Sequence, residues 1–235
     1  ERINDLRDDN VMGCSVTIPH KESVIPLLDA IHPMAKAIGS VNTIVNEKGL
    51  LTGHNTDAPG FMRGLKEEAN FDPNGKIACL VGTGGAGRAV AFAIAESGAK
   101  SILLINRTLV RAKGLSVEVS KAFPKVIVDC ASTIPRGFDY DLLVNSTSVG
   151  MRHSDTEDMA PVDKSSILPG ALVYDLVYNP QETTLLKFAK VVGSRLLGGL
   201  PMLVFQGAEA FKIWTGHPAP VGIMFDSAKK AMRDR

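Results

Sequence analysis

The sequence predicts an α/β fold with two α/β domains and a cleft between them. In the second half, short apolar runs alternate with helical stretches, a pattern that calls for a parallel sheet covered by helices on both faces. The apolar run at residues 77–81 leads directly into Gly82-x-Gly84-x-x-Gly87 and an alanine-rich helix, which indicates a Rossmann-type domain. The first half carries its own short strands and ends in a turn at residues 72–75, which indicates a separate N-terminal domain.

The first half is predicted to contain short strands that turns and prolines interrupt. Residues 1–10 are charged and are expected to end a helix. Pro19 stops the strand before it, because proline cannot donate to a β-ladder. The predicted strands are residues 12–18, 40–46 and 50–54, and the predicted helices are residues 22–38, with a break near Pro33, and 59–68.

The second half is predicted to form the parallel sheet. Its expected strands are residues 77–81, 101–105, 125–129, 142–145, 172–176 and 195–197. Helices are expected at residues 201–214 and at about 221–232, and the last has an apolar face that suits a return to the first domain. We therefore expect residues 1–57 plus 200–235 to form the first domain and residues 58–199 to form the second.

The glycine loop after the first strand of the second domain predicts a dinucleotide site. Its glycines permit a tight turn, a close approach of the backbone to a pyrophosphate, and close packing of the helix on the strand. The start of the helix adds free N–H groups and a positive dipole end. The alternative is an ordinary glycine-rich turn. The predicted phosphate contacts are Gly82, Thr83, Gly84, Gly85 and Ala86.

The residues after the next strand predict which dinucleotide is bound. A site for NAD usually carries an Asp or Glu at this point, but the chain has Asn106, Arg107 and Thr108, followed by Arg111. Guanidinium groups pair with phosphate through two N–H donors, so this set favours the 2′-phosphate of NADP(H). The alternative is a solvated loop in which Thr108 caps the following helix.

Composition excludes several other classes of protein. The chain has 235 residues, 45% of them hydrophobic, and a formal net charge of +1, so charge gives no case for binding nucleic acid or a membrane. Its cysteines (Cys14, Cys79 and Cys130) are widely separated and fit a reducing compartment, the cytoplasm or, in a plant, the plastid. No spacing of histidines suggests a metal site. The expected partner is a small-molecule substrate, and the expected state is a monomer or a homodimer.

Seven motifs, taken in order, resemble those of the shikimate dehydrogenase family, which also includes quinate dehydrogenases. The similarity extends over roughly residues 11–230. The motifs are Ser15-Val-Thr-Ile-Pro-His-Lys21, Gly39-Ser-Val-Asn-Thr43, Asn55-Thr-Asp57, Gly82-Thr-Gly-Gly-Ala-Gly87, Asn106-Arg-Thr108, Asn145-Ser-Thr-Ser-Val-Gly150 and Gly198-Gly-Leu-Pro-Met-Leu203.

The resemblance implies reduction of 3-dehydroshikimate to shikimate with NADPH, in aromatic amino-acid and chorismate biosynthesis. It implies that Lys21 and Asp57 form the catalytic pair. Hydride delivery to a carbonyl leaves negative charge on the oxygen and requires a proton, which an ammonium group stabilises and supplies. The alternative is that Lys21 and Asp57 form an ordinary ion pair at two strand ends.

The resemblance also assigns ligand contacts. It places Thr17, Asn42, Asp57 and Gln206 at the substrate's hydroxyls and carboxylate, and Tyr178 near that carboxylate. The alternatives are a turn role for Asn42 and a solvated helix face for Gln206. Residues expected near the nicotinamide are Leu176 and Gly199, where a small side chain lets the ring approach.

The family pattern normally opens with a strand, a Ser-x-Ser turn that binds substrate, and a helix. This chain is expected to lack that segment, either as a fragment of a larger polypeptide, as a trimmed chain or as a shortened form. Three rival functions stay open: quinate or dual quinate and shikimate oxidation, a glutamyl-tRNA reductase-like activity, and a non-catalytic NADP-binding module. A glutamyl-tRNA reductase-like enzyme requires a nucleophilic cysteine, and the sequence around Cys14 is not that of such a cysteine.

Overall fold

A computed structural model describes residues 2–233 of the chain, which form two sheets with helices around them. The strands are β1 (Gly13–Ser15), β2 (Ala30–Ile31), β3 (Thr43–Glu47), β4 (Leu50–His54), β5 (Ile77–Val81), β6 (Ser101–Ile105), β7 (Ile127–Ala131), β8 (Leu142–Asn145), β9 (Leu172–Asp175) and β10 (Arg195–Leu197). The helices are α1 (Arg2–Asp5), α2 (Pro33–Ile38), α3 (Asp57–Ala69), α4 (Gly85–Glu96), α5 (Leu109–Ala122), α6 (Thr184–Val192), α7 (Leu200–Thr215) and α8 (Val221–Arg233). Short 3₁₀ turns lie at Ile25–Leu27 and Lys164–Ser166.

The large sheet has six strands in the order β10-β9-β8-β5-β6-β7, and every neighbouring pair is parallel. Its central strands are mostly apolar because helices cover both faces, and every residue of β8 and β9 is buried, including the polar Asn145 and Asp175 at their carboxyl ends. The order reverses between β8 and β6, on either side of β5. Ligands of such sheets bind at this reversal, outside the carboxyl ends of the strands. The predicted Rossmann-type domain is confirmed.

The small sheet has four strands in the order β1-β3-β4-β2. The β1–β3 and β3–β4 pairs are antiparallel, and the β2–β4 pair is parallel. A separate apolar cluster packs against it. The buried members of this cluster are Val24, Ala35, Val41, Ile44 and Leu51. Two sheets, each with its own core, confirm the predicted two-domain α/β fold.

The helix predicted over residues 22–38 is wrong. The segment instead forms the 3₁₀ turn at Ile25–Leu27, then β2, then α2, which begins at Pro33. Pro26 lacks an N–H and ends regular helix formation, and the residue before Pro33 is held in extended geometry, with His32 at φ −56° and ψ 139°. The proline break predicted near Pro33 is in fact the start of a separate short helix.

Helices α3 and α7 pack against each other between the two sheets. Helix α3 also contacts α4, and α7 also contacts β3, where Trp214 Nε1 donates to the Ile44 carbonyl oxygen at 2.9 Å. Helix α8 packs on α7, with the rings of Phe205 and Phe225 5.5 Å apart in an edge-to-face arrangement. The C-terminal tail therefore reaches the small sheet through α7. None of the helices within residues 2–233 combines the length and apolarity needed to cross a membrane.

Candidate active site

Lys21 and Asp57 meet as an ion pair, with Lys21 Nζ 2.6 Å from Asp57 Oδ2. Lys21 lies in the turn that follows β1, and Asp57 is the first residue of α3, directly after β4. Their side chains are only 12% and 4% exposed. The positive end of α3 stabilises the carboxylate, and the low exposure strengthens its attraction to the ammonium group.

Asn42 fixes the other oxygen of the Asp57 carboxylate. Its buried side-chain amide donates to Asp57 Oδ1 and to Thr56 Oγ1, each at 2.9 Å. Its own Oδ1 accepts from the Thr56 backbone N–H at 2.7 Å. Asn42 therefore holds the start of α3 and the carboxylate together, which goes beyond the turn role considered from the sequence.

Gln206 reaches the same cluster from α7. Its Oε1 lies 3.3 Å from Asn42 Nδ2, and its Nε2 donates to the Leu203 carbonyl oxygen at 2.9 Å. The side chain is half-buried, so the interpretation of Gln206 as part of a solvated helix face is wrong. The cluster of Lys21, Asn42, Asp57 and Gln206 thus brings together residues from the turn after β1, the segment before β3, α3 and α7.

A cleft of about 290 Å³ joins Lys21 to the glycine loop. One wall comes from the turn after β1, and the other comes from the carboxyl ends of β5, β6 and β8 in the large sheet. The lining residues are Ile18, Pro19, Lys21, Glu22, Gly82, Thr83, Gly84, Gly85, Ala86, Asn106, Arg111, Ser146, Thr147 and Ser148. The cleft therefore contains the predicted phosphate loop and one member of the ion pair.

The glycine loop has the geometry of a phosphate site. Gly82 has φ +100°, and a Cβ on Gly87 would lie 2.3 Å from the Gly82 carbonyl oxygen, so this tight turn requires glycine at both positions. A Cβ on Gly84 would meet no protein atom within 4 Å. Gly84 also provides no side-chain cap for α4, which leaves the N–H groups of the first turn directed at the cleft.

Thr83 adds an unpaired hydroxyl to this loop. Its Oγ1 is buried and has no hydrogen-bond partner among the residues that the structure describes. A buried hydroxyl without a partner is costly unless a ligand or water satisfies it. This observation and the open space above Gly84 fit a bound pyrophosphate, so the loop suits the dinucleotide that the sequence predicts.

The four residues predicted to bind the 2′-phosphate occupy different positions. Asn106 and Arg111 line the cleft, whereas Arg107 and Thr108 are exposed and lie outside its lining. Asn106 Nδ2 donates to the Thr108 carbonyl oxygen at 2.9 Å and so shapes the loop. Thr108 occupies the N-cap position of α5 but makes no side-chain capping hydrogen bond. The alternative in which the Thr108 side chain caps this helix is therefore wrong.

The remaining predicted residues belong neither to the cluster nor to the lining of the cleft. Thr17 is exposed, and Tyr178 is 41% exposed in the loop after β9. Leu176 is half-buried. A Cβ on Gly199 would lie 2.3 Å from the Leu176 carbonyl oxygen, so glycine is required there for backbone packing, a reason that differs from the predicted approach of a ring.

A buried network beneath the cleft was not among the predicted site residues. Asp175 Oδ1 accepts from Asn145 Nδ2 at 2.8 Å, and Asp175 Oδ2 accepts from Thr183 Oγ1 at 2.6 Å. Asn145 Oδ1 in turn accepts from Thr147 Oγ1 at 2.7 Å and so holds residues 146–148 against the cleft. Burial raises the pKa of Asp175 to about 6. The polar sequence that ends β8 was the signal for this network.

No cluster of three or more His, Cys, Asp or Glu suited to a metal ion occurs within residues 2–233.

Three family models match the chain in succession. The shikimate dehydrogenase substrate binding domain matches residues 1–44, shikimate / quinate 5-dehydrogenase matches residues 65–180, and the shikimate 5′-dehydrogenase C-terminal domain matches residues 199–226. Among curated relatives, the NADP(+) shikimate dehydrogenase of Moorella thermoacetica is 48% identical over 224 residues, which are 94% of this chain and 75% of the relative.

Solved structures are similar over nearly the whole chain. Shikimate 5-dehydrogenase from Thermus thermophilus, in complex with NADP(H) and shikimate, matches with a TM-score of 0.86 and 36% identity over 98% of this chain and 82% of that one. Quinate dehydrogenase from Corynebacterium glutamicum, in complex with NAD, matches with a TM-score of 0.84 and 32% identity over 97% of this chain and 81% of that one.

Proposed function

The chain belongs to the shikimate dehydrogenase family of NADP-dependent oxidoreductases that act on a CH–OH group, and we propose that it interconverts 3-dehydroshikimate and shikimate through Lys21 and Asp57. The observation that carries the proposal is the 2.6 Å ion pair between these residues, in which Lys21 also lines the cleft of the glycine loop. An ammonium group and a phosphate-binding loop in one cleft suit hydride transfer to a carbonyl.

In the proposed mechanism, Lys21 stabilises and protonates the substrate oxygen. Bound NADPH supplies the hydride. As negative charge develops on the carbonyl oxygen, the Lys21 ammonium group stabilises it and donates the proton that completes the alcohol. Asp57 holds the lysine in place through its Oδ2 atom and accepts a hydrogen bond from a substrate hydroxyl. In the oxidation direction the same groups act in reverse, and the Lys21 amine accepts the proton.

Substrate recognition is proposed to use the cluster around Asp57. Asn42 and Gln206 each carry both an amide donor and an amide acceptor, and their mutual contact at 3.3 Å is long enough to exchange for a substrate hydroxyl. Thr17 and Tyr178 are exposed and so are accessible to a small ligand. A site built from such directed groups rejects analogues that leave them unpaired.

NADP is proposed to bind along the carboxyl ends of β5, β6 and β8. The first turn of α4 and Thr83 would hold the pyrophosphate, and Asn106 and Arg111 would hold the 2′-phosphate, with Arg107 and Thr108 at the outer edge. Leu176 and Gly199 are proposed to lie beside the nicotinamide. The absence of a carboxylate at residues 106–108 supports NADP over NAD, because Asp or Glu there would repel a 2′-phosphate.

We also propose how the chain divides into two domains. Residues 1–57 plus 200–235 would form the substrate domain and residues 58–199 the NADP-binding domain, with closure of the cleft excluding water from the reaction. A cytoplasmic location is supported by the unpaired state of Cys14, Cys79 and Cys130. A monomer or homodimer stays a prediction.

The rival functions receive less support. Burial raises the pKa of the Cys14 thiol, which disfavours the thiolate that a glutamyl-tRNA reductase-like enzyme needs. In a non-catalytic NADP-binding module the Lys21–Asp57 contact would be only a structural ion pair, which would not account for the position of Lys21 in the lining of the cleft. Quinate oxidation is the nearest alternative, because the matched family model covers both substrates and a quinate dehydrogenase is a structural neighbour.

The test is an absorbance assay at 340 nm on the 235-residue chain, with NADP or NAD crossed with shikimate or quinate. The proposal expects turnover with NADP and shikimate. Turnover with quinate alone would assign the chain to the alternative. Binding of NADPH without turnover of either substrate would mean that the chain is a nucleotide-binding module under these conditions.

A further inference from the structure

We propose that Arg88 is a positioning residue that fixes the spacing between the Lys21–Asp57 pair and the glycine loop. This inference rests on the proposed function, because the spacing matters only if the two parts act on one substrate. Arg88 follows Gly87 in the first turn of α4. The sequence motifs assign it no role.

Arg88 connects a helix beside the small sheet to two helices of the large sheet. Its Nε donates to the carbonyl oxygen of Ile38, the last residue of α2, at 2.6 Å. Its terminal nitrogens pair with the Glu118 carboxylate on α5. The Arg88 side chain is only 14% exposed, so this guanidinium is held between the two parts of the molecule and is not a mobile surface group.

The end of α2 is shaped to receive a guanidinium. Helix C-termini carry unpaired carbonyl oxygens and a partial negative charge, which a cation satisfies. Gly39 caps α2 in the left-handed conformation, with φ +69°, and a Cβ at this position would lie 2.7 Å from Arg88 Nη2. Glycine at residue 39 therefore both ends the helix and leaves room for Arg88.

The segment that Arg88 holds is bonded to both catalytic residues. Three positions after Ile38, the Val41 N–H donates to the Lys21 carbonyl oxygen at 2.8 Å. At the next residue, the Asn42 amide donates to Asp57 Oδ1 at 2.9 Å. A shift of the α2 terminus is thus transmitted to Lys21 through the backbone and to Asp57 through a side chain.

A second contact lies on the cleft side of the same helix. A Cβ on Gly85, the first residue of α4, would lie 2.9 Å from both Lys21 Cβ and Ser40 Oγ. The N-terminal turn of α4 therefore packs directly against the segment that carries the pair. Packing at Gly85 sets how close the two parts come, and the bonds of Arg88 hold them at that distance.

The role can be tested because hydride transfer is sensitive to distance. A misplacement of about 1 Å costs on the order of 100-fold in rate, even when the change lies away from the chemistry. Arg88→Met keeps the alkyl stem and removes every donor, whereas Arg88→Lys keeps one donor for the Ile38 carbonyl oxygen. Arg7→Met is the matched control, since Arg7 also donates to a carboxylate (Asp29) and to a carbonyl oxygen (Gly49), both within the small-sheet part.

Two readouts separate positioning from general stability. The first is kcat with saturating NADP and shikimate, set against the Kd for NADPH. The second needs no turnover: the chain has one tryptophan, Trp214, which lies beside the small sheet, so energy transfer from Trp214 to bound NADPH reports the distance between the two parts. Thermal unfolding of each variant measures stability separately.

For Arg88→Met we expect kcat to fall by about 10- to 100-fold, the Kd for NADPH to stay within about twofold, and the energy transfer at saturation to change. Arg88→Lys should recover part of kcat and of the transfer. Arg7→Met should change neither, even if it lowers the unfolding temperature as much. Wild-type energy transfer in both Arg88 variants, or equal losses of kcat in Arg88→Met and Arg7→Met, would overturn the proposal. If the unmodified chain turned over no substrate, the proposed function would fail and the energy transfer would still decide the role of Arg88.

Discussion

Lys21 Nζ lies 2.6 Å from Asp57 Oδ2, although the two residues are 36 positions apart in the chain. The pair forms because the turn after β1 and the start of α3 meet at the same edge of the small sheet. Asn42 occupies the second carboxylate oxygen at 2.9 Å, so Asp57 has one fixed orientation. In the proposed mechanism, this orientation directs the lysine at a substrate carbonyl.

Asp57→Asn should lower kcat by about 10²- to 10⁴-fold, the range for loss of acid–base catalysis. The amide no longer holds the ammonium group electrostatically, and its NH₂ competes with Lys21 as a donor. The measurement is the steady-state rate of NADP reduction with shikimate. Asp29→Asn is the control, since Asp29 also forms an ion pair, with Arg7, away from the cleft. Equal rates for Asp57→Asn and the control would contradict the assigned role.

Asn42→Ala should destabilise the fold as well as slow the reaction. The substitution leaves the buried Thr56 N–H and Asp57 Oδ1 without their partner, which costs about 1–3 kcal/mol for such groups. Urea unfolding measures this loss. Asn10→Ala, at an exposed position, should change the free energy of unfolding by less than about 0.5 kcal/mol. If the two variants were equally stable, the hydrogen bonds of Asn42 would carry no energetic weight.

Arg111→Ala should weaken binding of NADPH selectively. A charge-assisted hydrogen bond to phosphate contributes about 1.5–3 kcal/mol, so we expect the Kd for NADPH to rise by about 10- to 100-fold and the Kd for NADH to stay within about twofold. Arg107→Ala should have a smaller selective effect, because Arg107 lies outside the cleft lining. Fluorescence titration gives both constants. Equal weakening of NADPH and NADH would argue against a 2′-phosphate contact.

Gly84→Ala should separate nucleotide binding from folding. The added Cβ meets no protein atom within 4 Å, so the unfolding temperature should stay near that of the unmodified chain. The Kd for NADPH should rise by about tenfold or more, because the methyl group occupies the space proposed for the pyrophosphate. Gly87→Ala is the contrast, since its Cβ would overlap the Gly82 carbonyl oxygen and should destabilise the fold. Unchanged NADPH binding in Gly84→Ala would place the phosphates elsewhere.

Stability should depend on pH through Asp175. Burial raises the pKa of this carboxyl to about 6, above the value of about 3.9 expected in the unfolded chain. The native state therefore binds the proton more tightly, and its contribution to stability is full below pH ~4, declines as pH rises, and is lost above pH ~6. Its size is on the order of 3 kcal/mol. The free energy of unfolding of the unmodified chain, minus that of Asp175→Asn, should fall between pH 4 and 6 and level off above. A difference that stays constant with pH would contradict the shift.

The large sheet was predictable because its strands are short, apolar and separated by clear helices. Predicted residues 77–81, 101–105 and 142–145 coincide with β5, β6 and β8. The segment at residues 22–38 misled the prediction, since its apolar spacing resembles a helix while Pro26 and Pro33 divide it. The spacing of apolar residues alone does not show that the prolines divide the segment, so the effect of each proline has to be considered separately.

The site was only partly predictable from sequence. Motifs identified Lys21, Asp57 and the glycine loop, but contacts between distant positions carry no local signal: Asn42 and Gln206 are 164 positions apart. The family resemblance assigned both residues to the substrate, but their contact with each other was not predictable, because it depends on how α7 packs in the fold. Arg88 has the same character, because its role depends on where the end of α2 lies.

The central claim is tested most directly by Lys21→Met, which keeps the alkyl stem beside Gly85 and removes the ammonium group. Single-turnover reduction of 3-dehydroshikimate is followed at 340 nm, with NADPH binding measured on the same protein. We predict that the rate of hydride transfer falls by about 10²- to 10⁴-fold while the Kd for NADPH stays within about twofold. A transfer rate equal to that of the unmodified chain, with NADPH bound as before, would contradict the assignment of Lys21 as the group that protonates the substrate.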